Sequence, residues 1–148
     1  MTAHHCAYSV GSPLPVNGAE TIDHFLPEHR GANPELAYTW ENLHYACSAC
    51  QLEKRELIDC RLLRPDLPGY EFERYFYYNV RNGDIEVNPG AIEDDQRRAK
   101  VTIEILGLNR RGRPAARKHQ SAAYLALRND PAYESLEVWP FRFILTLL

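Results

Sequence analysis

The chain has 148 residues, of which 45% are hydrophobic and 25% charged, and its formal net charge is -3. That length supports about one modest core, and the composition is that of an ordinary folded domain, which argues against a disordered or fibrous chain. The charge carries no overall basic surplus of the kind duplex-binding domains show, so nucleic-acid contact falls to local basic stretches.

In chain order, residues 1 to 20 contain Gly11, Pro13, Pro15 and Gly18 and predict a turn-rich lead-in or loose hairpin. The start lacks the basic-then-apolar order of a secretory signal. The most apolar stretch, WPFRFILTLL at the end, is interrupted by Arg142 and too short to span a bilayer. The expectation is a cytoplasmic protein with no membrane segment. ETIDHF predicts a short strand that Pro27 stops, and EHRGANPELAY predicts loop. CSACQLEKREL suits a short helix. YEFERYFYYNVRNGDIEVNPG holds two strand-like runs about Asn82-Gly83, which predicts a hairpin with a type I′ turn.

AIEDDQRRAKVTIEILGLN predicts a helix with acids in its first turn, Gly107 near its end, and Ile92, Ala99, Thr102, Ile103 and Leu106 on one face. PAARKHQSAAYLALRND predicts another, opened by Pro114 and closed before Pro131. The tail, with Trp139, Phe141, Phe143 and Ile144, reads either as closing the protein's own core or as docking onto a larger partner. The order of elements is that of an α+β domain.

Asp23-His24 is the first pair with chemistry in it. Phosphodiester hydrolysis needs a base to activate water, a cation to neutralise the leaving oxygen, and a scaffold holding both in line. Histidine is partly neutral and basic near physiological pH, and aspartate offers the hard oxygen that Mg²⁺ prefers. Neighbouring strand residues point to opposite faces, so both reach one pocket only if the strand bends or ends there, which Pro27 permits. The dipeptide alone is a weak signal. Tyr38, Trp40 and Tyr45 read as core aromatics in preference to a stacking platform for bases. The run from Asn109 to His119 gathers Arg110, Arg111, Arg113, Arg117 and Lys118, either as a phosphate grip or as a solvated helix start.

IDHFLP followed by YTWENLHYACSACQLEK resembles the HNH endonuclease family and its ββα-metal motif, over about Cys6 to Arg55. The segments LLRPDLPGYEFERYFYYNVRNGDI and RRAKVTIEILGLN are similar, more loosely, to HNH nucleases of retron and Septu-type bacterial defence systems, which work with an ATPase. The resemblance implies a single nuclease domain over 1-148, with the ββα-metal core at 1-58 and a hairpin and helices at 59-148. It implies His24 as general base, Asp23 as ligand of a catalytic Mg²⁺ or Mn²⁺, Asn42 bracing the loop that orients His24, and Lys54 contacting the scissile phosphate. The last ligand position of the motif, usually His or Asn, falls on Gln51, whose longer side chain moves the donor.

Relatives in that family hold a structural zinc between two Cys-x-x-Cys knuckles. Cys47 and Cys50 match one knuckle; the other keeps Cys6 but has Ser9 in place of its second cysteine. The resemblance therefore implies a Cys6, Cys47, Cys50 zinc site with His4 or His5 as fourth ligand, the alternative being three reduced cysteines packed as small hydrophobes. Cys60 has no evident partner. The implied function is cleavage of DNA, double-stranded by preference, as effector of an anti-phage complex. A catalytically weakened nucleic-acid-binding or scaffolding module and a purely structural zinc protein are the competing readings.

Overall fold

The computed structural model describes residues 4-12, 19-27, 34-133 and 135-148. Much of the predicted lead-in, with Pro13, Pro15 and Gly18, and part of the predicted loop, with His29, lie outside these residues. Two short strands pair antiparallel, β1 (Glu20–His24) with β2 (Leu43–Cys47), Asp23 standing opposite His44 and Thr21 opposite Ala46. Cross-strand partners share a face of a sheet. Asp23, His44 and Ala46 are buried on the inner face, while Ile22 on the outer face is largely exposed. Helix α1 (Ser48–Lys54) follows β2 without a loop and packs on both strands.

The predicted hairpin is present with a different turn and a shorter first strand. Phe72–Tyr75 forms one helical turn, α2, before strand β3 (Phe76–Tyr78) pairs with β4 (Ile85–Val87). Helical spacing turns Phe72 and Tyr75 to the same side, onto the core, whereas in a strand residues three apart face opposite ways. The strands are joined through residues 79-84, in which the Gly83 amide donates to the Asn79 carbonyl (2.7 Å) and the Asn79 amide to the Asp84 carbonyl (2.9 Å). Only Gly83 of the Asn82-Gly83 pair has positive φ, so the turn is not type I′. Glycine is required here by close approach: a Cβ at Gly83 would lie 2.2 Å from the Pro114 carbonyl oxygen.

Helix α3 (Glu93–Ile105) buries Ala99 and Thr102 as its pattern predicts, and it also buries Asp95, which Arg74 holds at 2.8 Å. Helix α4 (Arg113–Leu127) turns Arg113, Arg117 and Ser121 inward. The short α5 (Arg142–Leu145) ends the chain, with Trp139, Ile144 and Leu145 buried in the same cluster as Cys6, Phe25 and Leu106. Of the two readings of the apolar tail, core closure is the role these side chains take. The architecture is mixed α and β, consistent with an α+β domain. Among the described residues, no helix is long and apolar enough to cross a membrane.

Candidate functional site

The alternation along β1 separates Asp23 from His24. Asp23 faces inward, 3% exposed, and its Oδ2 receives the Tyr8 hydroxyl at 2.5 Å and the Lys54 ammonium at 3.0 Å. Lys54, on the last turn of α1, is fully buried and also donates to the His24 carbonyl at 2.7 Å. Burial, and then the Asp23 charge, hold the Tyr8 phenol protonated far above its ordinary range. The expected roles of Asp23 and Lys54 change accordingly. Lys54 is sealed from any substrate phosphate, and Asp23 is a carboxylate already neutralised by an ammonium. Asp23 and Gln51 as placed do not make a cradle for a divalent ion, because a second cation beside Oδ2 meets the Lys54 charge.

His24 is half-buried, with Nε2 donating to the Ala37 carbonyl at 3.2 Å. Asn42 closes the segment after it: the Phe25 amide donates to the Asn42 carbonyl (2.9 Å), the Leu26 amide to Asn42 Oδ1 (2.8 Å), and Asn42 Nδ2 to the Leu26 carbonyl (2.9 Å) and the Leu36 carbonyl (3.1 Å). Gln51 Nε2 donates to the Ile22 carbonyl at 3.3 Å, which ties α1 to β1. Asn42→Ala is expected to destabilise the chain by about 1-3 kcal/mol, because it removes three side-chain hydrogen bonds to the backbone of Leu26 and Leu36. A lower denaturant midpoint at unchanged slope checks this, and an unchanged midpoint would refute the brace.

The described residues contain one group of three metal-capable side chains. The sulfurs of Cys6, Cys47 and Cys50 lie within 4.8 Å of one another, all buried. A zinc–sulfur bond of about 2.3 Å sets tetrahedral sulfurs about 3.8 Å apart, so a contraction of at most about 1 Å closes the set on an ion. These thiols form a site able to hold a soft divalent metal such as zinc. His5, expected as fourth ligand, is not in the group; its Nε2 donates to the Trp139 carbonyl at 2.9 Å. Ser9 Oγ stands 3.9 Å from Cys47 Sγ. Hydrogen bonds from Cys50, then Cys6, pull the Cys47 thiol well below its usual range, and the contact with Cys47, then Cys6, pushes Cys50 up.

Several residues take places the sequence did not suggest. Arg113 donates to Cys50 Sγ at 3.1 Å and to the Leu106 carbonyl, and Arg117 donates to the carbonyls of Gly83 and Leu108. Burial, then the neighbouring Arg113, push Arg117 down to about 10. Arg110 and Arg111 both pair with Glu53 of α1, at 2.8 and 2.7 Å. Much of the basic run is therefore internal bracing, and the phosphate-grip reading does not apply to Arg113 or Arg117. The i, i+4 spacing of Arg113, Arg117 and Ser121 marks a common face, but charge argued for solvent.

His44 is buried against the rings of Tyr8 and Phe25, and among the described residues neither of its ring nitrogens has a hydrogen-bond partner, Asp66 Oδ1 being 3.5 Å from Nε2. Burial lowers its pKa. Tyr38 and Trp40, expected in the core, are 91% and 81% exposed on the 3₁₀ turns Pro34–Tyr38 and Trp40–Asn42. Tyr45 is half-buried, its hydroxyl donating to Glu20. Neither a protein-family model nor a curated protein matches the chain.

Proposed function

We propose that the chain is a nuclease of the HNH type that hydrolyses phosphodiester bonds in DNA, with His24 as proton acceptor. The observation that carries this reading is the grip on His24 and the segment after it: Lys54 holds the His24 carbonyl, and Asn42 pins Phe25 and Leu26. Fixing the backbone at and after a half-buried imidazole suits a group that must meet a reacting atom in a fixed pose. With Nε2 donating to the Ala37 carbonyl, the tautomer leaves Nδ1 as the basic nitrogen. Nδ1 would accept the proton of the attacking water.

Asn42 and Lys54 are positioning residues in this reading, acting through the backbone around His24. Tyr38 and Trp40, exposed next to Ala37 and Asn42, offer flat faces on which bases stack. A divalent cation, when bound, neutralises charge on the leaving oxygen. Asp23, the ligand that the resemblance implies for it, is engaged by Lys54.

The Asp23–Lys54 pair also favours a second reading, a nucleic-acid-binding module without catalysis. One experiment separates the two. The purified chain and His24→Ala are incubated with supercoiled plasmid in Mg²⁺ or Mn²⁺, and binding is measured in parallel. The nuclease reading expects nicking by the parent and a loss of about 100-fold or more in the variant, the usual scale of general-base catalysis. A parent that binds DNA and leaves it intact sinks that reading in favour of the second.

A further inference from the structure

The turn that carries Cys6 also holds the C-terminal segment. It closes on itself, the Cys6 amide donating to the Gly11 carbonyl at 3.0 Å and the Val10 amide to the Cys6 carbonyl at 2.9 Å. Val10 therefore moves with Cys6, and His5 precedes Cys6 directly in the chain. His5 Nε2 donates to the Trp139 carbonyl at 2.9 Å, and the Phe141 amide donates to the Val10 carbonyl at 2.8 Å, so the turn grips both sides of Pro140. Ala7 and Tyr8 are tied to the two strands through the Tyr45 carbonyl and the Asp23 carboxylate, while Cys6 meets Cys47 of β2 and Cys50 of α1 through its sulfur.

The joint between turn and segment is strained and loosely packed. Val10 and Phe141, which share the second bond, both stand in the left-handed region, at φ 55° and 59°, where a β-branched or bulky side chain is disfavoured. Cavities border the same stretch: one of about 380 Å³ against Pro140 and Phe141, one of about 610 Å³ against Arg142 and Phe143, and one of about 40 Å³ between Val10 and Phe141. Side chains beside a void gain no dispersion contact across it. On either side the chain is anchored without the turn, since the Trp139 ring packs on Tyr124 and both Ile144 and Leu145 are buried in the main core. The weak stretch is thus short, residues 139-143, and opening it leaves the core in place.

We propose that the turn at Cys6 is a metal-controlled clasp on residues 139-143. With an ion held among the three sulfurs, Cys6 is fixed against β2 and α1, and the His5 ring and the Val10 carbonyl are fixed with it. With the ion removed the turn relaxes, both bonds open, and Val10 and Phe141 leave the left-handed region. The state of the sulfurs is thereby carried from His5 to a carbonyl 134 positions further along the chain. The coupling is reciprocal, so the shut clasp raises the affinity for the ion by the same factor by which the ion favours the shut clasp. The clasp does not depend on cleavage of nucleic acid.

Amide hydrogen exchange of the full chain, with zinc and with a chelator, tests this at the Phe141 amide, with the β3–β4 hairpin as internal control. Chelation is expected to lower protection at Phe141 by about 5- to 150-fold, the usual range of coupling between two sites, and to leave the hairpin unchanged. Cys6→Ser is expected to show the low protection at every zinc concentration. His5→Ala, which leaves the three sulfurs in place, is expected to exchange faster than the parent at Phe141 in zinc and to bind zinc more weakly. Protection at Phe141 that chelation does not change overturns the proposal, and so does a loss shared equally by the hairpin, which makes the effect global unfolding. A zinc response that persists in Cys6→Ser, or a His5→Ala chain with the parent's exchange and zinc affinity, also overturns it. The parent comparison decides the matter where a variant fails to fold.

Discussion

Lys54→Met is expected to destabilise the chain by about 3-5 kcal/mol, because it leaves the Asp23 carboxylate buried beside a neutral side chain. The ammonium is fully buried and the carboxylate nearly so, at 3.0 Å, so water screens the pair little. Lys54 also holds the His24 carbonyl, and that bond goes with it. A loss of this size is a large part of the ordinary stability of a domain, about 5-15 kcal/mol. Asp23→Leu combined with Lys54→Met removes both charges and is expected to recover much of the loss, since a buried pair replaced by apolar groups is often close to neutral. Denaturant unfolding of the two single variants and the double closes the cycle. A small loss in Lys54→Met, or a double variant no better than the single, would show that the pair is not what joins β1 to α1.

The same pair explains why the site was only half legible in the sequence. Strand β1, the helix after Cys47 and the two long helices follow from local pattern: β-branched and aromatic residues before Pro27, acids at the start of α3, Pro114 at the start of α4. The place of Asn42 came from the resemblance, since the residue by itself fits a helix cap or a turn as readily as a brace. The partner of Asp23 was not legible. Lys54 lies 31 positions further on, and a lysine on a short polar helix gives no local sign that it will be sealed against β1. Tyr8 and Arg113 escaped for the same reason, as their partners Asp23 and Cys50 are set by packing between segments distant in sequence. Tyr38 and Trp40 misled in the other direction: aromatic character predicts burial on average, and these 3₁₀ turns hold both rings outside.

Zinc is expected to raise the thermal midpoint of the chain by roughly 8-16 °C when its free concentration is about 1,000 times the dissociation constant. An ion that binds only the folded state contributes about 4.1 kcal/mol at that ratio, and each kcal/mol moves the midpoint of a chain this long by about 2-4 °C. The three sulfurs come from the turn before β1, the end of β2 and the first turn of α1. An ion among them ties together segments 41 or more residues apart in the sequence, which an unfolded chain does not gather. Cys50→Ser is expected to abolish the rise, while Cys60→Ser, at an exposed thiol outside the group, is expected to keep it. Thermal unfolding of the parent and both variants, with zinc and with a chelator, makes the comparison. A rise that survives Cys50→Ser would place the metal elsewhere, and no rise in the parent would leave the three cysteines as packing groups.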